Sequence, residues 1–99
     1  MDDEAVDPHA AMEDVTDEAG FIEFLGVLSR DRALADVAER NAPSSPYGPD
    51  ARGWEQASIA GFLEAAAACA AAHPGKAERD GENPWKTCAR ILLSGKYYE

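Results

Sequence analysis

Ten consecutive residues, Asn41-Ala-Pro-Ser-Ser-Pro-Tyr-Gly-Pro-Asp50, hold three prolines, a glycine and two serines. No helix interior or inner strand accepts such a run, because proline lacks the backbone donor and clashes with the preceding turn. The segment is a loop, and it divides the chain into two stretches whose apolar faces must find each other. With 99 residues, 45% of them hydrophobic, the chain suffices for one core and is too short for two.

Ahead of the loop, Phe21, Phe24, Leu25 and Leu28 recur at three- and four-residue spacing, which places them on one face of a helix. Thr16 is a suitable N-cap, and Asp17 and Glu18 suit the positive end of the helix dipole. The spacing predicts a helix from about Asp17 to Ser29. Leu34, Val37 and Ala38 form a stripe of their own that is out of phase with Leu28. A bend near Ser29 to Asp31 and a second, short helix from about Asp31 to Arg40 are therefore expected.

Beyond the loop, Ser58 precedes a stripe of Ile59, Phe62, Leu63, Ala66 and Ala70, and His73-Pro74-Gly75 terminates it. The alanines predict close approach by a neighbouring helix. Lys76 to Glu82 reads as a polar turn. Asn83-Pro84 then supplies N-cap and first position for a last helix, with Trp85, Cys88, Ala89 and Leu92 on one face and an end near Lys96. No segment alternates in the manner of a strand. The expected fold is all-α, a small bundle of three to four helices.

Charge is distributed unevenly. The net charge is -10, yet residues 1 to 18 hold eight acids and no Lys or Arg, while the other 81 residues hold eleven acids and nine bases. Scattered apolar residues and Pro8 give the N-terminal stretch no periodic face to bury, so residues 1–15 read as a disordered acidic arm preceding a helical domain over 16–99. Strong acidity disfavours nucleic acid and anionic lipid as partners. The longest apolar run, Ala65 to Ala72, is far below a membrane span. The opening Met1-Asp2-Asp3-Glu4 lacks the features of a secretory leader, and the two cysteines form no CxxC pair, so a cytoplasmic location is expected.

Local catalytic signatures are absent from the sequence. His9 and His73 stand in no metal-binding spacing, so neither metal nor cofactor is expected. Ser94-Gly95-Lys96 resembles the end of a phosphate loop only superficially: Arg90 stands where the first glycine belongs, Tyr97 where a hydroxyl residue belongs, and the segment ends a helix instead of starting one. Cys69 and Cys88 fall on apolar flanks, where packing is their expected role. Glu23, Glu55 and Glu64 are the better-placed acids, but Glu23 and Glu64 follow polar helix faces. The aromatic residues carry more information. Trp54 and Trp85 are costly to leave in water and are expected to pack beneath the third helix, with Tyr97 and Tyr98 more exposed.

The stretches Phe21-Ile-Glu-Phe-Leu25, Trp54-Glu-Gln-Ala-Ser-Ile-Ala-Gly-Phe-Leu-Glu64, Asn83-Pro-Trp85 and Tyr97-Tyr-Glu99 together resemble an uncharacterised family of small acidic helical bacterial proteins. The resemblance spans about residues 16–99 and implies no particular activity. The functional expectation is a non-enzymatic module that binds a protein partner of basic character, in the manner of acidic immunity proteins or antitoxins as a class. A small-molecule or peptide site between the last two helices, lined by Trp54, Trp85 and Tyr97, is the alternative. Trp54, Glu55, Trp85, Tyr97 and Tyr98 are the candidate binding residues.

Overall fold

The computed structural model describes residues 6–98, and every regular element among them is helical. Five α-helices follow in order: α1 (Pro8–Glu13), α2 (Glu18–Asn41), α3 (Ile59–Ala72), α4 (Lys76–Asp80) and α5 (Pro84–Tyr97), with a 3-10 turn at Ala51–Gly53. None is long and apolar enough to cross a membrane. The core joins α1, α2 and α5 through Met12, Val15, Phe24, Leu28, Ala35, Ala89 and Leu93, with Trp54 inserted from the loop side.

The expected bend near Ser29 is absent: α2 runs unbroken for 24 residues. Its N-cap is not Thr16 but Asp17, whose side chain accepts from Gly20 N–H at 2.8 Å. The buried positions are Phe24, Leu28, Asp31 and Ala35, a regular 4-3-4 spacing. Two helices were expected because Leu34, Val37 and Ala38 are out of phase with Leu28; the buried row passes instead through Asp31 and Ala35. Leu34 lies at the edge of the buried face and Val37 is exposed. Ala42 leaves the helical region, as a residue before proline must.

The expectation of a disordered arm through residue 15 is also corrected. Asp7 accepts from His9 N–H at 3.2 Å, Pro8 takes the first helical turn, and Met12 and Val15 are buried against the core. Met12 on the short capped helix and Val15 just beyond it are anchors that offset the ordering entropy, and Asn83 Nδ2 donates to the Val15 carbonyl at 3.1 Å. The acids of residues 1–5 lie outside the described residues.

The second half follows the sequence signals more closely. Ser58 caps α3 by accepting from Gly61 N–H at 3.0 Å, and Asn83 caps α5 by accepting from Lys86 N–H at 2.9 Å. The supposed polar turn contains the short helix α4, bounded by Gly75 and Gly81, both at positive φ. Helices α3 and α5 make the most extensive pairing in the molecule. At Gly95 the approach is closest, since a Cβ there would lie 2.6 Å from the Phe62 carbonyl oxygen. Gly95 therefore serves packing, and Cys88 is exposed instead of buried, with Cys69 half-buried.

Candidate functional site

The loop between α2 and α3 is fastened by charge. Glu39 accepts from Ser44 N–H at 2.9 Å, from the Ser44 hydroxyl and from Ala51 N–H. Arg32 donates to Asp36 at 2.7 Å, to Asp50 at 3.1 Å and to the Gln56 carbonyl at 3.3 Å. These contacts hold the 3-10 turn against α2, where Arg52 adopts φ 61°, a left-handed conformation that is unfavourable for a side-chain-bearing residue.

That conformation accompanies the central feature of the molecule. Arg52 Nε donates to Asp31 Oδ1 at 2.7 Å, while Asp31 Oδ2 accepts from Trp54 Nε1 at 2.9 Å and from Lys96 Nζ at 2.7 Å. Asp31 is 2% exposed and Lys96 3%. The ammonium of Lys96 and the guanidinium of Arg32 also lie 5.5 and 5.3 Å from the Trp54 ring centroid. A buried carboxylate is tolerable only when fully partnered, and this one has three donors. No buried side-chain nitrogen or oxygen among the described residues lacks a hydrogen-bond partner.

Burial by itself would raise the Asp31 pKa, but it is outweighed by hydrogen bonds from Lys96, Arg52 and Trp54, and the carboxyl is held below its ordinary value of 3.8. Glu82 is likewise lowered, chiefly by the Arg90 guanidinium against a smaller opposing effect of burial. In both cases the unfolded chain binds protons more readily than the folded one. Their stabilisation is therefore complete above the unfolded values and lost as pH falls through the folded ones. Urea midpoints are expected to be level between about pH 7 and 5 and to drop below about pH 4, and Asp31→Asn should shrink the drop.

Two grooves flank this ionic knot. One, of about 590 Å³, lies among α1, α4 and α5 and is lined by Met12, Leu93 and Tyr97 with many charged groups. Its cations are committed: Lys76 to Asp80 at 2.8 Å, Lys86 to Glu13 at 3.1 Å and Arg90 to Glu82 at 3.0 Å. The other, of about 430 Å³, lies between α2 and the start of α3. Trp54, Leu25, Leu28, Ile59 and Phe62 line it, and Arg32 and Asp36 are also at its wall. Ile59 is 80% exposed and Leu25 39%, so large aliphatic side chains face solvent here. Ile22 and Leu63, both exposed, sit one helical turn away from Leu25 and Ile59 on their respective helices.

The sequence-derived candidates separate. Trp54 is a core residue that also lines the α2–α3 groove. Trp85 rests on Phe21 with ring centroids 5.7 Å apart, and its outer face is open. Tyr97 is exposed, lies over Lys96 Nζ at 5.1 Å and lines the other groove. Glu55 contributes its backbone N–H to the Lys96 carbonyl at 2.8 Å, and the Tyr98 carbonyl accepts from Gln56 Nε2 at 3.2 Å. Trp54, Trp85 and Tyr97 thus belong to three different places, and where Gly95 meets Phe62 the last two long helices are in direct contact. Sequence reasoning missed Asp31, Arg52 and Lys96, as well as the exposure of Leu25 and Ile59. A single acid at a core-facing helical position was the available signal for Asp31.

Among the described residues no three His, Cys, Asp or Glu side chains converge as metal ligands. Comparison with known proteins finds no matching family model, no matching curated protein and no matching solved structure.

Proposed function

We propose that this chain is a non-catalytic binding module that docks a protein partner on the groove between α2 and α3, an immunity- or antitoxin-like mode of action. The observation that carries the reading is the exposure of Leu25 and Ile59 on the walls of one concave, largely apolar surface. Aliphatic side chains gathered in this way are costly in water and mark interaction surfaces more often than chance placement. The most deeply buried charges, Asp31 and Lys96, are bound to each other and support the walls instead of facing the groove. A net charge of -10 favours rapid encounter with a basic protein.

The second reading, a small-molecule or peptide site, draws support from the same groove, whose volume lies within the usual range for ligand pockets and which Trp54 also lines. It then belongs to α2 and α3, not to the interval between the last two helices.

Capture from a lysate of the source organism with tagged wild-type and Leu25→Asp proteins, at low and high salt, tests the docking reading. A retained protein that weakens by about tenfold or more with the variant is the expected result, since a charge would be buried against an apolar partner. Identical retention by both proteins would remove the groove from the reading. Saturable binding of metabolites that shifts Trp54 fluorescence, without any protein partner, would favour the second.

A further inference from the structure

Resting on the docking reading above, we infer that the occupant of the α2–α3 groove is an amphipathic helix with basic flanks. The shape argues for an elongated ligand. From Leu25 to Asp36 the α2 wall covers eleven residue steps, about 16 Å at the helical rise of 1.5 Å. The α3 wall supplies Ile59 and Phe62 along one flank. Such a row accommodates apolar anchors spaced at three, four and seven residues along a helix.

Backbone chemistry argues against a partner that adds a β-strand. A strand must pair its N–H and C=O groups, and the described residues offer no sheet edge to receive them. A helix satisfies its own backbone and needs only side-chain contacts. Charge then selects among helices. The one guanidinium at the wall, Arg32, is already divided between Asp36 and Asp50, and Asp36 stays half-exposed there. The net charge of -10 repels an acidic helix and also a second copy of this chain.

The test uses the full chain and two synthetic amphipathic helices with one leucine pattern, the first carrying lysine and the second glutamate on the polar face. Titration by calorimetry is run with wild type, Leu25→Asp, Ile59→Asp and the remote Tyr47→Asp, with circular dichroism to establish that each variant is folded. Tyr47 is 97% exposed in the proline-rich loop. The expected result is one-to-one binding of the lysine helix, weakened by added salt, lowered about tenfold or more by either groove variant and unchanged by Tyr47→Asp. Equal binding of the glutamate helix would overturn the basic partner and leave the groove in place. Lysine-helix binding indifferent to both groove variants would be surface charge attraction, which overturns the inference. If neither helix binds and sedimentation shows a dimer that Leu25→Asp dissociates, a second copy is the occupant and the inference fails. If neither binds and the chain stays monomeric, the helix inference fails too, while the lysate capture independently decides whether a protein partner exists.

Discussion

Asp31→Ala should destabilise the protein by about 3–5 kcal/mol, the typical consequence of removing one member of a buried ion pair. The carboxylate receives Lys96, Arg52 and Trp54. Its removal strands the ammonium of Lys96 and the indole N–H of Trp54, residues that are 3% and 4% exposed. Arg52 keeps an outlet to water, so the cost falls mainly on Lys96 and Trp54. A domain of this size has a total stability of about 5–15 kcal/mol, which makes the loss a large fraction of the whole. Chemical denaturation followed by tryptophan fluorescence measures it. Lys96→Met placed on top of Asp31→Ala should cost little more, and should recover stability if relieving the orphaned ammonium outweighs the lost packing. A loss under about 1 kcal/mol for Asp31→Ala would mean that water reaches the carboxylate, contrary to the burial found here.

That same residue explains how far the fold was legible from the amino-acid sequence. Apolar spacing, Ser58, Asn83-Pro84 and the His73-Pro74-Gly75 stop suffice to place α3 and α5, because in both helices cap and stripe agree. In α2 the stripe is Phe24, Leu28, Asp31 and Ala35, and a carboxylate occupying a core position looks like an interruption. Only its cations, one of them 65 residues away, make burial tolerable, and no local pattern announces such a partner. The first helix shows the complementary failure. Asp7-Pro8 is the same kind of opening as Asn83-Pro84, but its six residues cannot bury a stripe alone. Docking against α2 and α5 supplies the stability, a tertiary effect that propensity does not register.

The groove was legible only in its ingredients. Leu25, Ile59 and Leu63 satisfy the helical period and were reasonably assigned to buried faces. Their exposure follows from where α3 leans: its main pairing is with α5, and the α2-facing flank is left open. Trp54, read from sequence as core or site, is a core residue that also lines the groove. Its indole N–H is consumed by Asp31 and its ring packs 5.9 Å from that of Phe62 while lining the groove. Ser94-Gly95-Lys96, set aside as a failed phosphate loop, acquires two structural duties instead, because Lys96 completes the ion pair and Gly95 permits the helix contact beside it.

That contact yields the second large effect, and its sign is unusual. Alanine in place of glycine inside a helix ordinarily gains up to about 1 kcal/mol from the more restricted unfolded chain. At Gly95 the new methyl would lie 2.6 Å from the Phe62 carbonyl oxygen and 2.9 Å from two carbons of its ring. The carbonyl belongs to the α3 backbone and cannot rotate aside, so the whole helix must retreat from α5. Gly95→Ala is expected to lose about 1–3 kcal/mol net, in the range of overpacked cores. Gly26, in the exposed middle of α2 with nothing within 4 Å of an added Cβ, provides the matched contrast. Gly26→Ala should raise the denaturation midpoint while Gly95→Ala lowers it, with both variants measured against wild type in urea. Because α3 carries the Ile59 wall of the groove, its displacement should also weaken the proposed docking there, whereas Gly26→Ala tests propensity alone. A Gly95→Ala protein as stable as wild type would show that α3 and α5 can separate freely, and would remove the rigid support on which the groove geometry depends.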